Sequence, residues 1–520
     1  MLTTARNLAN VILISTLLLP QFVASQETTS NKVIAERPWA AFWASSVARV
    51  MTDCDVIYES INRMELADTL EDRLNDYRAF SGIDRTRPLG MMWTWNDDGE
   101  SMATVFIPVQ DINELMQTAT FGVVEYHKVK DDQYEIERPG APYHVILRSG
   151  YALFGEDVAA LHALRESPER LTKELREKYD LVYIIDQRQV PRDARQKWVA
   201  SQRAQFEPWL QQLDDEPNES AIVRRALGKA LLEGLERAVQ DVQTVTIAGR
   251  IDRRTRRLQF DITIQAEPGT TMAAELNRMI VQKSEFSALV NRDASAGLAI
   301  NWPIMLLGAD LLAIGGKEVS NGRLDLGMQV VGSDWSDLTL IAGMRGPEAS
   351  ALNAAMPKLI SRMEKSPEIK TINQKVATHR DVQFHQILPA RIPEFLQGNA
   401  PSEIEVLIGQ GKQTIWLAAG LPETLQERLK AAIDAVGDPG TDRSAAVMQA
   451  RLSVGKWPAV LPIIDPNETR AELQDSKDGF TLSVLPVRNG LKIQIVAEEG
   501  LLRVIGRHWA KQVDNAAAAQ

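Results

Sequence analysis

Apolar and polar residues alternate along Ile262-Thr263-Ile264-Gln265-Ala266 and again along Ile493-Gln494-Ile495-Val496-Ala497. Each run then meets an acid and a glycine, in Glu267-Pro268-Gly269 and in Glu498-Glu499-Gly500. Alternation at period two predicts a half-buried strand, and the glycine marks its stop before a helix. A second landmark, Leu89-Gly90-Met91, returns as Leu326-Gly327-Met328. The two offsets, 231 between Ala266 and Ala497 and 237 between Gly90 and Gly327, agree within a few residues. Such agreement predicts a chain that contains one plan twice.

Further elements follow the same pattern. From Trp39 the apolar start predicts a strand or buried segment, then a long helix capped by Asp53 with a stripe of Ile57, Ile61, Met64 and Leu70, ending before Gly82. Leu89–Trp95 and Met102–Ile107 predict a hairpin across Asn96-Asp97-Asp98-Gly99, whose residue types accept positive φ. A helix over 110–119, a hairpin turning at Arg148-Ser149-Gly150 and a helix from Asp157 come next. Ser167-Pro168-Glu169 reads as a capped helix start, with Glu174 and Lys178 as an i,i+4 pair. After a strand over 180–186, two helices lead to strands over 242–250 and 258–266, and Leu227, Leu231, Leu235 and Val239 recur at helical spacing.

The second half repeats this order. It has strands at 297–300, 324–328 and 338–341, helices over 304–314 and from Glu348, and a hairpin turning through Gly409-Gln410-Gly411. A helix with Leu425, Leu429, Ile433 and Val436 on one face stops at Gly437, and a last hairpin turns at Arg488-Asn489-Gly490. The expected fold class is α+β, a tandem duplication of antiparallel sheets each covered by helices. The expected divisions are a leader at 1–25, an entry at 26–36, units at 37–178, 179–290, 291–440 and 441–515, and a disordered tail at 516–520.

Composition sharpens the setting. Residues 1–25 carry Arg6, an apolar run from Val11 to Leu19 and Val23-Ala24-Ser25, the pattern of a cleaved export leader. The mature chain is expected to start at Gln26 in the periplasm or outside the cell. Its single cysteine, Cys54, excludes an intramolecular disulfide, so packed cores must hold the fold. The net charge of −11 lacks the basic footprint of a general nucleic-acid binder.

Catalytic motifs are mostly missing. The chain has no H-E-x-x-H, G-x-S-x-G or Walker A pattern. Ile408-Gly409-Gln410-Gly411-Lys412 lacks the phosphate-loop spacing and sits in a hairpin. Ser453-Val454-Gly455-Lys456 matches S-x-x-K, but on a strand, where the pair cannot share a helix turn. Six histidines show no ligand spacing, and the acids Asp97-Asp98-Gly99-Glu100 and Asp214-Asp215-Glu216 lack a calcium-loop pattern. No cofactor, metal or catalytic residue is assigned.

Two binding candidates remain. Arg253, Arg254, Arg256 and Arg257, with Arg250 beside them, form the one concentrated basic cluster, able to hold an anionic polymer or headgroup or simply to line a solvated turn. Trp93 and Trp95 share one strand face, and Trp39 and Trp43 can share a helix face, as an aromatic shelf or as core.

The leader, the twofold plan and the Leu-Gly-Met and Ala-Glu-x-Gly landmarks together resemble the uncharacterised large exported proteins of planctomycete-type bacteria. The resemblance covers most of the mature chain and implies no known activity. The functional expectation is a non-catalytic binding or scaffold protein of the cell envelope, its partner an envelope polymer or a protein. The alternatives are a hydrolase of envelope polymers with an unfamiliar acid pair, or a self-associating scaffold.

Overall fold

A computed structural model describes residues 37–76, 80–95, 100–119, 125–137, 142–211, 218–280, 283–303, 323–332, 337–391, 404–437, 445–456, 473 and 478–518. The expected leader, the Asn96–Gly99 turn, the acids at 214–216 and the helix expected over 304–314 lie outside them. Among the described residues no helix is long and apolar enough to cross a membrane.

The described residues form two compact units, one drawn chiefly from those up to 206 with 242–250 and the other chiefly from those at 207–241 with 251–518. Both are α+β. The first contains β1 (Ala40–Ala44), the start of α1 (Val47–Ser60), whose residues from Val56 on belong to the second unit, α2 (Met64–Asp76), β2 (Leu89–Trp95), β3 (Ser101–Pro108) and α3 (Ile112–Ala119). It continues with β4 (Tyr126–Lys130), β5 (Gln133–Ile136), β6 (Tyr143–Arg148), β7 (Tyr151–Gly155), α4 (Val158–Ala163), α5 (Pro168–Thr172) and β8 (Leu181–Asp186). After α6 (Arg192–Leu210), and after α7 (Asn218–Asp241), which belongs to the second unit, β9 (Val242–Asp252) returns to the first unit's sheet. Antiparallel pairings set the order β4-β5-β6-β7-β3-β2-β1-β8-β9.

The second unit holds β10 (Arg257–Ala266), α8 (Thr271–Arg278), β11 (Ala296–Pro303), β12 (Arg323–Val331), β13 (Thr339–Arg345) and α9 (Pro347–Met363). It goes on through β14 (Ile369–His379), β15 (Val382–Pro389), β16 (Glu405–Gln410), β17 (Thr414–Gly420) and α10 (Pro422–Gly437). The last elements are β18 (Met448–Ser453), β19 (Gly479–Val487), β20 (Gly490–Ala497) and α11 (Glu499–Ala518). Its order is β14-β15-β16-β17-β13-β12-β11-β18-β19-β20-β10, also antiparallel throughout. The boundaries expected at 178/179 and 440/441 fall inside these sheets, since β8 pairs with β1 and β18 with β11.

Helices cover both faces of each sheet, where one covered face was expected. In the second unit Ile341, Leu407, Trp416 and Ala418 pack with Leu425, Leu429 and Ile433 of α10. Alternate residues Ile408, Ile387, Val406 and Ile415 point the other way and pack with Met356 and Ile360 of α9. In the first unit Phe106, Ile146 and Leu153 meet Leu161 of α4, while Val145 and Phe154 meet Leu115 and Met116 of α3. Period two sorts neighbouring residues into opposite layers, so apolar residues in succession mean two cores.

Several local expectations need correction. Helix α1 begins at Val47, where the Ser46 hydroxyl accepts the Arg49 amide at 3.1 Å, so Ser46 rather than Asp53 is the cap. Asn62 at φ 56° then breaks the stripe, and α2 starts afresh at Met64. Trp39 and Trp43 lie at and in a strand, not a helix. Helix α5 ends at Thr172, so Glu174 and Lys178 are not helical neighbours. At the other end α11 runs to Ala518, through residues expected to be a disordered tail.

Candidate functional site

The site is assembled at the end of β20. Glu498 follows the last strand residue, and its amide donates to the Gly479 carbonyl at 2.9 Å while the Gly479 amide donates to its Oε2 at 3.0 Å. The carboxylate is therefore fixed at the start of β19. Its side chain is 6 % exposed, and three guanidinium groups reach it: Arg257 and Arg292 at 3.4 Å on Oε1, and Arg451 at 3.2 Å on Oε2. Arg451 arrives from β18 across the face of β19, with Thr481 Oγ1 as a second contact at 3.4 Å. Glycine at 479 leaves the space for that guanidinium, which a Cβ there would overlap.

Next to it, Arg256 bonds Glu499 at 3.1 Å and Glu59 at 3.2 Å. Arg256 sits at φ 49° in the turn between β9 and β10, a conformation the tight reversal imposes. Asp252 supports the turn by accepting the amides of Arg254 and Thr255 at 3.1 and 3.2 Å. Arg253 and Arg254 themselves are exposed.

The electrostatics are uneven. Arg256 faces two carboxylates, whereas Glu498 faces three cations, leaving an excess of two positive charges around it. Burial alone would raise the Glu498 carboxyl; the Gly479 amide, Arg451 and Arg292 outweigh it and hold the group below its ordinary value. Arg451 is 11 % exposed and Arg292 65 % exposed, so the node has a closed and an open side. The Nε donors of Arg257 and Arg451 are buried without an acceptor.

No family model, curated protein or solved structure matches this chain. The site must be read from its own geometry.

Of the arginines singled out in the sequence, Arg256 and Arg257 belong to the node. The sequence reading missed Arg292, Arg451, Glu498 and Gly479 as functional groups, although Glu498 stood in the landmark as an acid ending a strand. The tryptophans are in the other unit. Trp95 is 6 % exposed and stacks on Trp39 at 5.8 Å, and Trp93 lies edge-on to Tyr183 at 6.3 Å. They pack with Ile185 and Val190 as core, the core reading of the two the sequence offered, and form no aromatic shelf.

The other candidates have structural partners. Ser453 donates to Asp478 at 2.6 Å and Lys456 to the Asp293 carbonyl at 2.9 Å, so the S-x-x-K pair is engaged elsewhere. His379 contacts Asp434 at 2.8 Å. Asp325 is pushed up by burial, yet it accepts the Ser284 hydroxyl at 2.6 Å and the Glu285 amide at 3.0 Å, the work of a cap. Among the described residues no cluster of three or more His, Cys, Asp or Glu could hold a metal ion.

Proposed function

We propose that this chain is an exported, non-catalytic binding protein of the cell envelope, built from two tandem copies of one module, and that it holds an anionic envelope component at the arginine node. The observation that carries the binding reading is the ratio of three guanidinium groups to one carboxylate at Glu498, with Arg292 turned largely to solvent. Uncompensated arginine donors gathered at the ends of paired strands are what an anion-binding surface needs.

The tandem reading is supported by strand order. The path β4-β5-β6-β7-β3-β2-β1-β8-β9 is retraced step for step by β14-β15-β16-β17-β13-β12-β11-β18-β19. Gly90 pairs with Trp43 and Phe106, and Gly327 pairs with Ala299 and Gly343, so the Leu-Gly-Met landmarks hold equivalent places. Export rests on the leader, and a mature N-terminus at Gln26 on Edman sequencing of the cell-derived protein is its check.

Binding is tested by fluorescence anisotropy with labelled dextran sulfate and neutral dextran. The unaltered chain should bind only the sulfated polymer, and R257Q/R292Q should weaken that binding at least tenfold. Equal binding by the variant would remove the node from the account.

A self-associating scaffold has one observation in its favour. Phe480, Leu452, Ala296, Val330, Leu340 and Ala419 form one register row, and Phe480 and Leu340 are each 37 % exposed. A mass that rises with concentration in sedimentation, and falls back to the single chain in L340D, is the signature of that reading.

A further inference from the structure

We propose that the anion held at the node is a dianionic tetrahedral oxyanion, a phosphate monoester or phosphate itself, and that the Glu498 carboxylate is its internal competitor. This rests on the reading above that the node is a binding site, and adds the class of group it takes and the device that tunes it.

Charge sets the class. Arg257, Arg292 and Arg451 bring three positive charges to the single negative charge of Glu498, while Arg256 beside them is outnumbered by Glu59 and Glu499. At the three arginines that reach Glu498, a carboxylate ligand would leave one positive charge uncompensated, whereas a dianion closes the local balance. Geometry agrees. A guanidinium offers five N–H donors in a planar fork, which suits the several oxygens of a tetrahedral anion. Only one contact per arginine goes to Glu498, at 3.2–3.4 Å, the long end of the range for N–H···O bonds. Donors therefore remain on the open side, where Arg292 is 65 % and Arg257 35 % exposed.

Glu498 cannot withdraw, because the Gly479 amide and carbonyl hold its carboxylate and its amide. It keeps the three arginines gathered when no ligand is bound, and its charge opposes any anion that arrives. The same group thus organises the site and limits its affinity.

The test is calorimetric titration of the full chain with sodium phosphate, sulfate and acetate at pH 7.5 and fixed ionic strength. Phosphate and sulfate should bind saturably and at least tenfold more tightly than acetate. R292Q, at an exposed position, should weaken phosphate at least tenfold, and E498Q should tighten it at least threefold. If phosphate shows no saturable binding, or R292Q leaves it unchanged, the binding-site reading itself is overturned. If R292Q-sensitive binding is present but acetate matches phosphate, or E498Q fails to tighten it, the present inference alone is overturned.

Should E498Q not fold, sulfate titrations of the unaltered chain from pH 5 to 3 replace it, since the Glu498 carboxyl is held below its ordinary value. Sulfate stays mainly dianionic across that range, so its affinity should rise as Glu498 takes a proton; constant or falling affinity contradicts the competitor role. Vesicles of phosphatidylcholine with phosphatidic acid separate the sources. Sedimentation with them, reversed by inorganic phosphate, supports a lipid headgroup, and phosphate binding without sedimentation supports a soluble phosphate.

Discussion

Replacing Gly479 by alanine tests the node through a residue with no charge of its own. Gly479 is not at positive φ, so alanine is compatible with its backbone. An added Cβ would, however, fall on Cζ, Nη1 and Nη2 of Arg451, well inside the 3.0 Å that real Cβ contacts respect. The guanidinium is the far end of a flexible side chain, so it gives way rather than the backbone. What is lost is then its bond to Glu498, made where the two side chains are 11 % and 6 % exposed.

A hydrogen bond to a charged group contributes about 1.5–3 kcal/mol. Alanine restricts the unfolded chain and returns about 0.4–1 kcal/mol. The net cost expected from urea unfolding of the second unit, followed by local hydrogen exchange at β18 and β19, is therefore about 0.5–2.5 kcal/mol. In an R451A background no guanidinium is displaced, and G479A should become neutral or stabilising by up to about 1 kcal/mol. That reversal of sign, a coupling of about 1.5–3 kcal/mol, is the outcome specific to this geometry. Additivity of the two changes within about 0.5 kcal/mol would refute it.

Other outcomes follow from the same structure. Glu498 lies below its ordinary pKa when folded, so its stabilisation is complete above about pH 4.3 and is lost as pH falls through the folded value. E498Q should flatten that acid limb in a plot of unfolding midpoint against pH, whereas an unchanged limb would assign it to other carboxylates. His385 is 3 % exposed, and burial holds its imidazole below the usual value of about 6.5, so stability should decline as pH falls below that point. H385L should lose this decline between pH 7 and 5; retention of the full slope would contradict the assignment. At Gly90 a Cβ would meet Trp43 Cα at 2.7 Å, and at Gly327 it would meet Phe286 Cγ at 2.7 Å. G90A and G327A should each cost about 1–3 kcal/mol by overpacking, measured by thermal unfolding, and tolerance of either would show that its neighbours do not require glycine there.

Legibility varied with how local each cause was. Helix α10 was readable because Leu425, Leu429 and Ile433 repeat at helical spacing and all are buried. The hairpin turns were readable because Ser149, Gly150 and Asn489 do adopt positive φ. Strands β14 and β15 were not foreseen: β14 is polar and exposed along most of its length, and its register shifts near Asn373 break the alternation. Two-sided helix cover was missed because a pattern of apolar residues shows that a face is buried without showing what buries it. The node was only half legible. The basic run is visible at 253–257, but its partners Glu498 and Glu499 lie 241 and 243 residues further on, joined to it by the pairing of β10 with β20. No local pattern carries such a contact.

An anomalous difference map from crystals of the full chain soaked in selenate tests the central claim most directly. The account predicts one peak within hydrogen-bond reach of both Arg257 and Arg292, on the side away from Gly479, with Glu498 still bound to the Gly479 amide. Crystals that take up selenate elsewhere while these arginines stay closed on Glu498 would contradict it.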